Sequence, residues 1–282
     1  MSEGYANPEM LVTTDWVAEH KADANVRLIE VDVDTAAYDE GHIPGAVGLN
    51  WQTQLQDGLR RDLASKANLE KLMGESGVSP DTTVVVYGDN NNWFAAWALW
   101  QLKRHGHQDV RIMNGGRVKW LAEGRETTKD APGVTPKAYT AQDPDDSIRA
   151  QRDQVIDAVN KGDINLVDVR SPDEFSGKLL APPGLEGKEG CQRGGHIPKA
   201  KNIPWGKAVN EDGTFKSVDD LRDLYGGQGI DGSGETIAYC RIGERSSHTW
   251  FVLKHLLGHG NVRNYDGSWT VGGKLVDVPI DK

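Results

Sequence analysis

Cysteine is scarce in this chain of 282 residues: Cys191 and Cys240 are the two present. That is too few for a disulfide framework or a cysteine-built zinc site, so both thiols are expected to be free, as in a reducing cytoplasm. Long apolar runs are missing too. None approaches the roughly 20 residues that cross a bilayer, and the opening MSEGYANPEMLVTTDW lacks the basic-then-apolar order of a secretory signal. Cations are outnumbered, with 32 Lys and Arg against 42 Asp and Glu, for a net charge of −10. Such a balance argues against nucleic acid or an anionic membrane as a general partner. An anionic substrate would need a local cluster of cations. What remains is an ordinary composition, 37% hydrophobic and 26% charged, at a length that suggests two domains.

The chain repeats itself at an offset of about 152–154 residues. LIEVDV (28–33) is answered by LVDVR (166–170), and DEGHIPGAVGLNW (39–51) by GGHIPKAKNIPW (194–205). TTVVVYGDNNNWFAAWALWQLKRHGHQDV (82–110) parallels ETIAYCRIGERSSHTWFVLKHLLGHGNV (235–262), and RIMNGG (111–116) echoes RNYDGS (263–268). Short β-branched and aromatic runs such as 84–87 and 236–239 read as buried strands. Segments 93–104 and 247–257 carry apolar residues at helical spacing, each ending near a glycine. Alternating strands and helices predict α/β domains in tandem, each a mainly parallel sheet flanked by helices. The expected boundaries are 8–125 and 146–282, joined by a Pro-, Thr- and Asp-rich linker over 126–145. His42 and His196 recur in both halves and are expected to anchor turns.

At an offset of 152, Gly88 lies opposite Cys240, and DNNNW lies opposite RIGER. The strand–loop–helix frame is shared, but one copy alone carries a thiol and cations. Ligands of open α/β sheets bind beyond the carboxyl ends of the strands, where Cys240 falls. A tight loop there can aim successive N–H groups at one point, with a helix expected to begin near Ser246 or Ser247 adding its positive end. With Arg241 and Arg245 beside it, the Cys240 thiol is expected to have a lowered pKa and to act as a nucleophile. The alternative is a buried, inert cysteine. Cys191, in the Gly-rich insertion PPGLEGKEGCQRGGHIP, is expected to be an incidental exposed thiol.

The repeat, the paired Gly-His-Ile-Pro segments and the loop CRIGERSSHTWF followed by NVRNYDGSW resemble the two-domain rhodaneses over nearly the whole chain. Within them the loop is most similar to the bacterial thiosulfate sulfurtransferases. The resemblance implies tandem rhodanese-like domains with a catalytically silent first copy, and no metal or organic cofactor. It implies that Cys240 takes the outer sulfur of thiosulfate, expels sulfite and passes the sulfur from a persulfide to cyanide or a cellular thiol such as thioredoxin. Substrate contacts would come from Arg241, Ile242, Gly243, Glu244, Arg245 and Ser246, with Asp168 and Arg170 bracing the loop. The chain departs from the mammalian thiosulfate enzymes at Ile242, where they carry a second cation. It departs from the mercaptopyruvate enzymes at Arg241, where they carry a small uncharged residue. Glu174 aligns with a position where the family often has a substrate-binding Arg.

Two rivals share the fold. A cysteine phosphatase or arsenate reductase needs a loop one residue longer between Cys and Arg than the four residues separating Cys240 from Arg245. A non-catalytic regulatory module would have no use for the cysteine.

Overall fold

The computed structural model describes residues 4–181 and 191–282. They form two compact units. One holds Glu9–Asp145 with Val209–Phe215; the other holds Asp146–Ala208 and Lys216–Lys282 together with the described residues up to Pro8.

In the N-terminal unit the strands are β1 (Leu11–Val12), β2 (Val26–Glu30), β3 (Val47–Gly48), β4 (Thr83–Tyr87) and β5 (Val110–Met113). They pair, all parallel, in the order β1-β5-β4-β2-β3. Val84, Val85, Val86 and Tyr87 are buried on both faces, which is why β4 reads as an unbroken apolar run rather than an alternating one. Residues 126–145 run along this unit. Thr128 exchanges backbone hydrogen bonds with His42, Lys137 N–H donates to Gly74 O, and Gln142 N–H donates to His105 O.

The C-terminal unit repeats the plan with β6 (Asn165–Asp168), β7 (Lys201–Asn202), β8 (Thr236–Tyr239) and β9 (Val262–Tyr265), parallel in the order β7-β6-β8-β9. The repeat extends to single hydrogen bonds. Ile43 N–H donates to the Tyr87 hydroxyl at 3.1 Å, and Ile197 N–H to the Tyr239 hydroxyl at 3.1 Å. Each Gly-His-Ile-Pro segment is thus pinned to the aromatic residue that ends the central strand. The two histidines lie flat on neighbouring rings, His42 on Tyr38 at 3.8 Å and His196 on Phe175 at 3.5 Å. Each also bonds the backbone carbonyl of that same residue. Both hold turns.

In the N-terminal unit β4 leads into α1 (Asp89–Arg104); the C-terminal unit carries α2 (Arg152–Lys161), α3 (Pro172–Phe175) and, after β8, α4 (Glu244–Phe251). Gly243, at φ 97°, turns the chain left-handed to cap α4. The helix therefore starts two to three residues earlier than the sequence pattern suggests, and Glu244, Arg245 and Ser246 lie in its first turn rather than in the loop.

Candidate active site

The end of β8 hands the chain to a tight turn that folds back on itself. Cys240 N–H donates to Ser268 Oγ (3.0 Å), whose hydroxyl donates in turn to Tyr265 O (2.6 Å). Trp269 N–H donates to Cys240 O and Thr270 N–H to Arg241 O, both at 3.0 Å. The segment after β9 thereby clamps both ends of the Cys240–Arg241 dipeptide. A second clamp comes from Asn264. Its amide donates to Gly243 O (2.9 Å) and Ser247 Oγ (2.8 Å), while Ser246 Oγ donates to Asn264 Oδ1 (2.6 Å). Gly243 is required here. A Cβ on it would come within 2.5 Å of Asp266 Cα, and its φ disfavours any L side chain. Gly243→Ala should lower the unit's stability by about 1–3 kcal/mol, read as a drop in the denaturant midpoint with an unchanged slope.

The turn brings all the residues from Cys240 to Ser246 together, and all are buried. Cys240 Sγ–H donates to Glu244 Oε2 at 3.0 Å, and Gly243 N–H donates to Sγ at 3.2 Å. Ile242 N–H donates to the same Glu244 oxygen at 3.1 Å, so Ile242 contributes a backbone donor. The other carboxylate oxygen faces Arg245 Nε at 3.7 Å and Arg241 Nη2 at 3.9 Å. Arg245 spends its two terminal nitrogens on Glu174, at 2.8 and 3.0 Å. Asp168 and Arg170 form a closed buried pair at the end of β6, with Arg170 also donating to Gly195 O at 2.8 Å and lying over the Trp269 ring at 4.8 Å. This pair makes its hydrogen bonds beside the loop, not into it.

Charge in the site is balanced rather than positive, since Arg241 and Arg245 are answered by Glu174 and Glu244. Burial and the facing Glu244 carboxylate raise the Cys240 pKa, against the opposing pull of Arg245 and the Ser246 N–H. The expected lowering of the thiol pKa is therefore corrected: desolvation and the Glu244 carboxylate on the sulfur together outweigh Arg245. Burial opposes charge on Glu174 as well, but its bidentate bond to Arg245 wins and holds the carboxyl below its ordinary range. His248, one turn along α4, is pushed down to about 3 by burial and is neutral.

Cys191 is likewise not exposed. Its Sγ–H donates to Trp269 O at 3.3 Å, and burial raises its pKa. The part of its insertion that precedes it, residues 182–190, lies outside the described residues. Glu174, Asn264 and Ser268 escaped sequence reasoning as partners of the loop. The echo of RIMNGG in RNYDGS was the available signal, because Ser268 (φ 49°) takes the left-handed position that Gly116 (φ 57°) holds in the first unit.

The equivalent position of the N-terminal unit carries no thiol. Gly88 N–H donates to Asn92 Oδ1 at 3.0 Å, and Asn90, Asn91 and Asn92 are all left-handed. A Cβ on Gly88 would lie 2.1 Å from Val31 O, so no side chain fits there without moving backbone.

A family model described as Rhodanese-like domain matches the chain twice, over residues 13–123 and 151–272. A protein of Saccharopolyspora erythraea provisionally named a thiosulfate sulfurtransferase is 59% identical over 273 residues, covering 97% of this chain and 96% of that one. The sulfur carrier protein TtuD of Thermus thermophilus is 55% identical over 282 residues, covering 99% of each. The solved structure of SseA from Escherichia coli, described among 3-mercaptopyruvate sulfotransferases, superposes with a TM-score of 0.77 at 26% identity, covering 92% of this chain and 98% of that one. Among the described residues no helix is long and apolar enough to cross a membrane.

Proposed function

This chain belongs to the rhodanese family through both of its halves, and from that premise we propose that it is a sulfurtransferase that carries a sulfane sulfur from thiosulfate on Cys240. The thiolate attacks the outer sulfur of thiosulfate, a new sulfur–sulfur bond forms, and sulfite leaves with the electron pair of the broken bond. The resulting persulfide gives its outer sulfur to cyanide or to a cellular thiol, thioredoxin being the expected class, and the enzyme returns to its starting state. A reducing cytoplasmic setting suits this chemistry, because both thiols are free.

One observation carries the reading: Cys240 Sγ closes a buried parallel strand and already accepts the Gly243 N–H at 3.2 Å. A backbone donor aimed at sulfur stabilises the negative charge that appears on sulfur during exchange. The first turn of α4 adds its partial positive charge on the same side. Arg241 is our choice for the residue that meets the donor's sulfonate oxygens, since Arg245 is committed to Glu174. Ile242, Gly243 and Ser246 would serve through their backbone N–H groups, and Asp168 with Arg170 would hold the strand end in place. TtuD's name as a sulfur carrier agrees with a protein that holds sulfur between donor and acceptor.

The balanced charge of the loop favours a second reading, in which the less charged 3-mercaptopyruvate is the better donor. The two separate on catalytic efficiency measured with both donors under one set of conditions. We expect thiosulfate to be preferred. We also expect Arg241→Ala to lower kcat/KM for thiosulfate by about 10- to 100-fold, mostly in KM, and for mercaptopyruvate by less. A preference for mercaptopyruvate, or equal losses on both donors, would remove thiosulfate from the account.

A further inference from the structure

We infer that Glu244 is a catalytic residue, the proton acceptor for Cys240, and that the two side chains share one proton through the reaction. The inference rests on the sulfur-transfer reading for its chemistry, but its geometry stands by itself. Oε2 lies 3.0 Å from Sγ, within direct proton-transfer distance. The carboxylate is held in that orientation from both sides, by the Ile242 N–H on Oε2 and by Arg245 and Arg241 facing Oε1. The thiol needs such a partner. Burial and the Glu244 charge keep it protonated near neutral pH, so a sulfur that attacks must give up its proton to something inside the site.

The N-terminal unit pairs different groups at the equivalent positions. Where the C-terminal unit has Cys240 and Glu244 it has Gly88 and Asn92, and the Asn92 side-chain oxygen accepts the Gly88 backbone N–H from a left-handed segment. The carboxylate that meets a thiol side chain occurs in the copy that has the thiol.

The steps balance. As Sγ attacks, the S–H bond breaks and the proton passes to Oε2. Sγ bonds the outer sulfur of thiosulfate, and sulfite departs with the old bonding pair. When cyanide or a thiolate takes the outer sulfur, the pair of the Sγ–S bond returns to Sγ and the proton returns from Oε2. Site charge is the same before and after each half-reaction, so an enclosed site never accumulates charge. The charged groups around the pair are fixed in salt bridges: Arg245 with Glu174, Asp168 with Arg170, and Asp266 with Arg149 behind Gly243. His248 is neutral.

The test is the pH dependence of kcat/KM for thiosulfate in the wild type and in Glu244→Gln. It is paired with the pH dependence of Cys240 alkylation by iodoacetamide, read by mass on the Cys240 peptide without any donor. In the wild type the shared proton gives a plateau through neutral pH and a fall in alkali, where a second negative charge repels the dianion. The Gln variant should lose the alkaline fall and follow its thiol's own ionisation instead. At mildly acidic pH it should be slower than wild type by at least about tenfold. Its alkylation curve should move to lower pH, because a negative charge beside sulfur is gone. Glu244→Asp, which keeps the carboxylate, should restore the alkaline fall, and it decides the matter should the Gln variant fail to fold. A Gln curve parallel to wild type at every pH would overturn the inference and leave Glu244 a loop-positioning residue. So would an unmoved alkylation curve, or an Asp variant without the alkaline fall. A moved alkylation curve with no turnover of thiosulfate by wild type would instead refute the donor and sustain the proton role.

Discussion

Cys240→Ala should reduce sulfur transfer from thiosulfate to the uncatalysed rate. Cys191 is no substitute nucleophile, since its thiol bonds Trp269 O and has neither the Gly243 N–H nor the Glu244 carboxylate that meet Cys240. The fold should survive the change. Cys240 is fully buried, but the lost atom is a single sulfur, for which a cost of about 1 kcal/mol is expected from the area removed. The backbone clamps do not depend on the side chain, because Ser268 bonds the Cys240 N–H and Trp269 the Cys240 carbonyl. Inactivity with a near-native denaturation curve is thus the expected pair of results. Retained turnover would sink the nucleophile assignment.

Glu174→Ala should have the largest effect on stability. The pair it forms with Arg245 is almost fully buried and bidentate. Removing one partner leaves an uncompensated guanidinium out of water, at a cost of about 3–5 kcal/mol. Glu174 also accepts from Ser171 N–H and Oγ at the start of α3, so a helix cap is lost with it. The pH dependence has a definite sign. The folded pKa of Glu174 lies below its unfolded value of about 4.3. Its contribution is therefore fully present above the unfolded pKa and is lost as pH falls through the folded one. The gap between wild type and variant in denaturant unfolding should be widest near neutral pH and close in acid. A gap that stayed constant down to the most acidic conditions would show that the carboxylate's charge is not what matters.

The two predictions draw on different kinds of information, and the sequence carried them unequally. The tandem sheets, the paired Gly-His-Ile-Pro turns and the thiol at a strand end are written in short stretches, where strand periodicity and a repeat can be read directly. The Glu174–Arg245 pair joins positions 71 residues apart, and nothing in either segment announces the other. Glu174 could be aligned with a substrate-binding position, yet its partner emerged only when α3 and α4 came together. The start of α4 was hidden for a local reason. Glu244-Arg245-Ser246-Ser247 is polar and resembles a loop, but these side chains are buried, so polarity there marks an internal hydrogen-bonded cluster rather than exposure. The thiol's electrostatics failed in the same way. Counting neighbouring arginines ignored desolvation, and it missed that Glu244 would turn its carboxylate onto the sulfur.

The central claim is a sulfur held on Cys240, and the mass of the protein tests it most directly. Purified enzyme incubated with thiosulfate and freed of excess donor should gain the mass of one sulfur atom, located on the peptide that contains Cys240. Added cyanide should remove that mass with release of thiocyanate, and Cys240→Ala should never acquire it. Turnover without any added sulfur on Cys240, or the added sulfur found on Cys191 instead, would contradict the account.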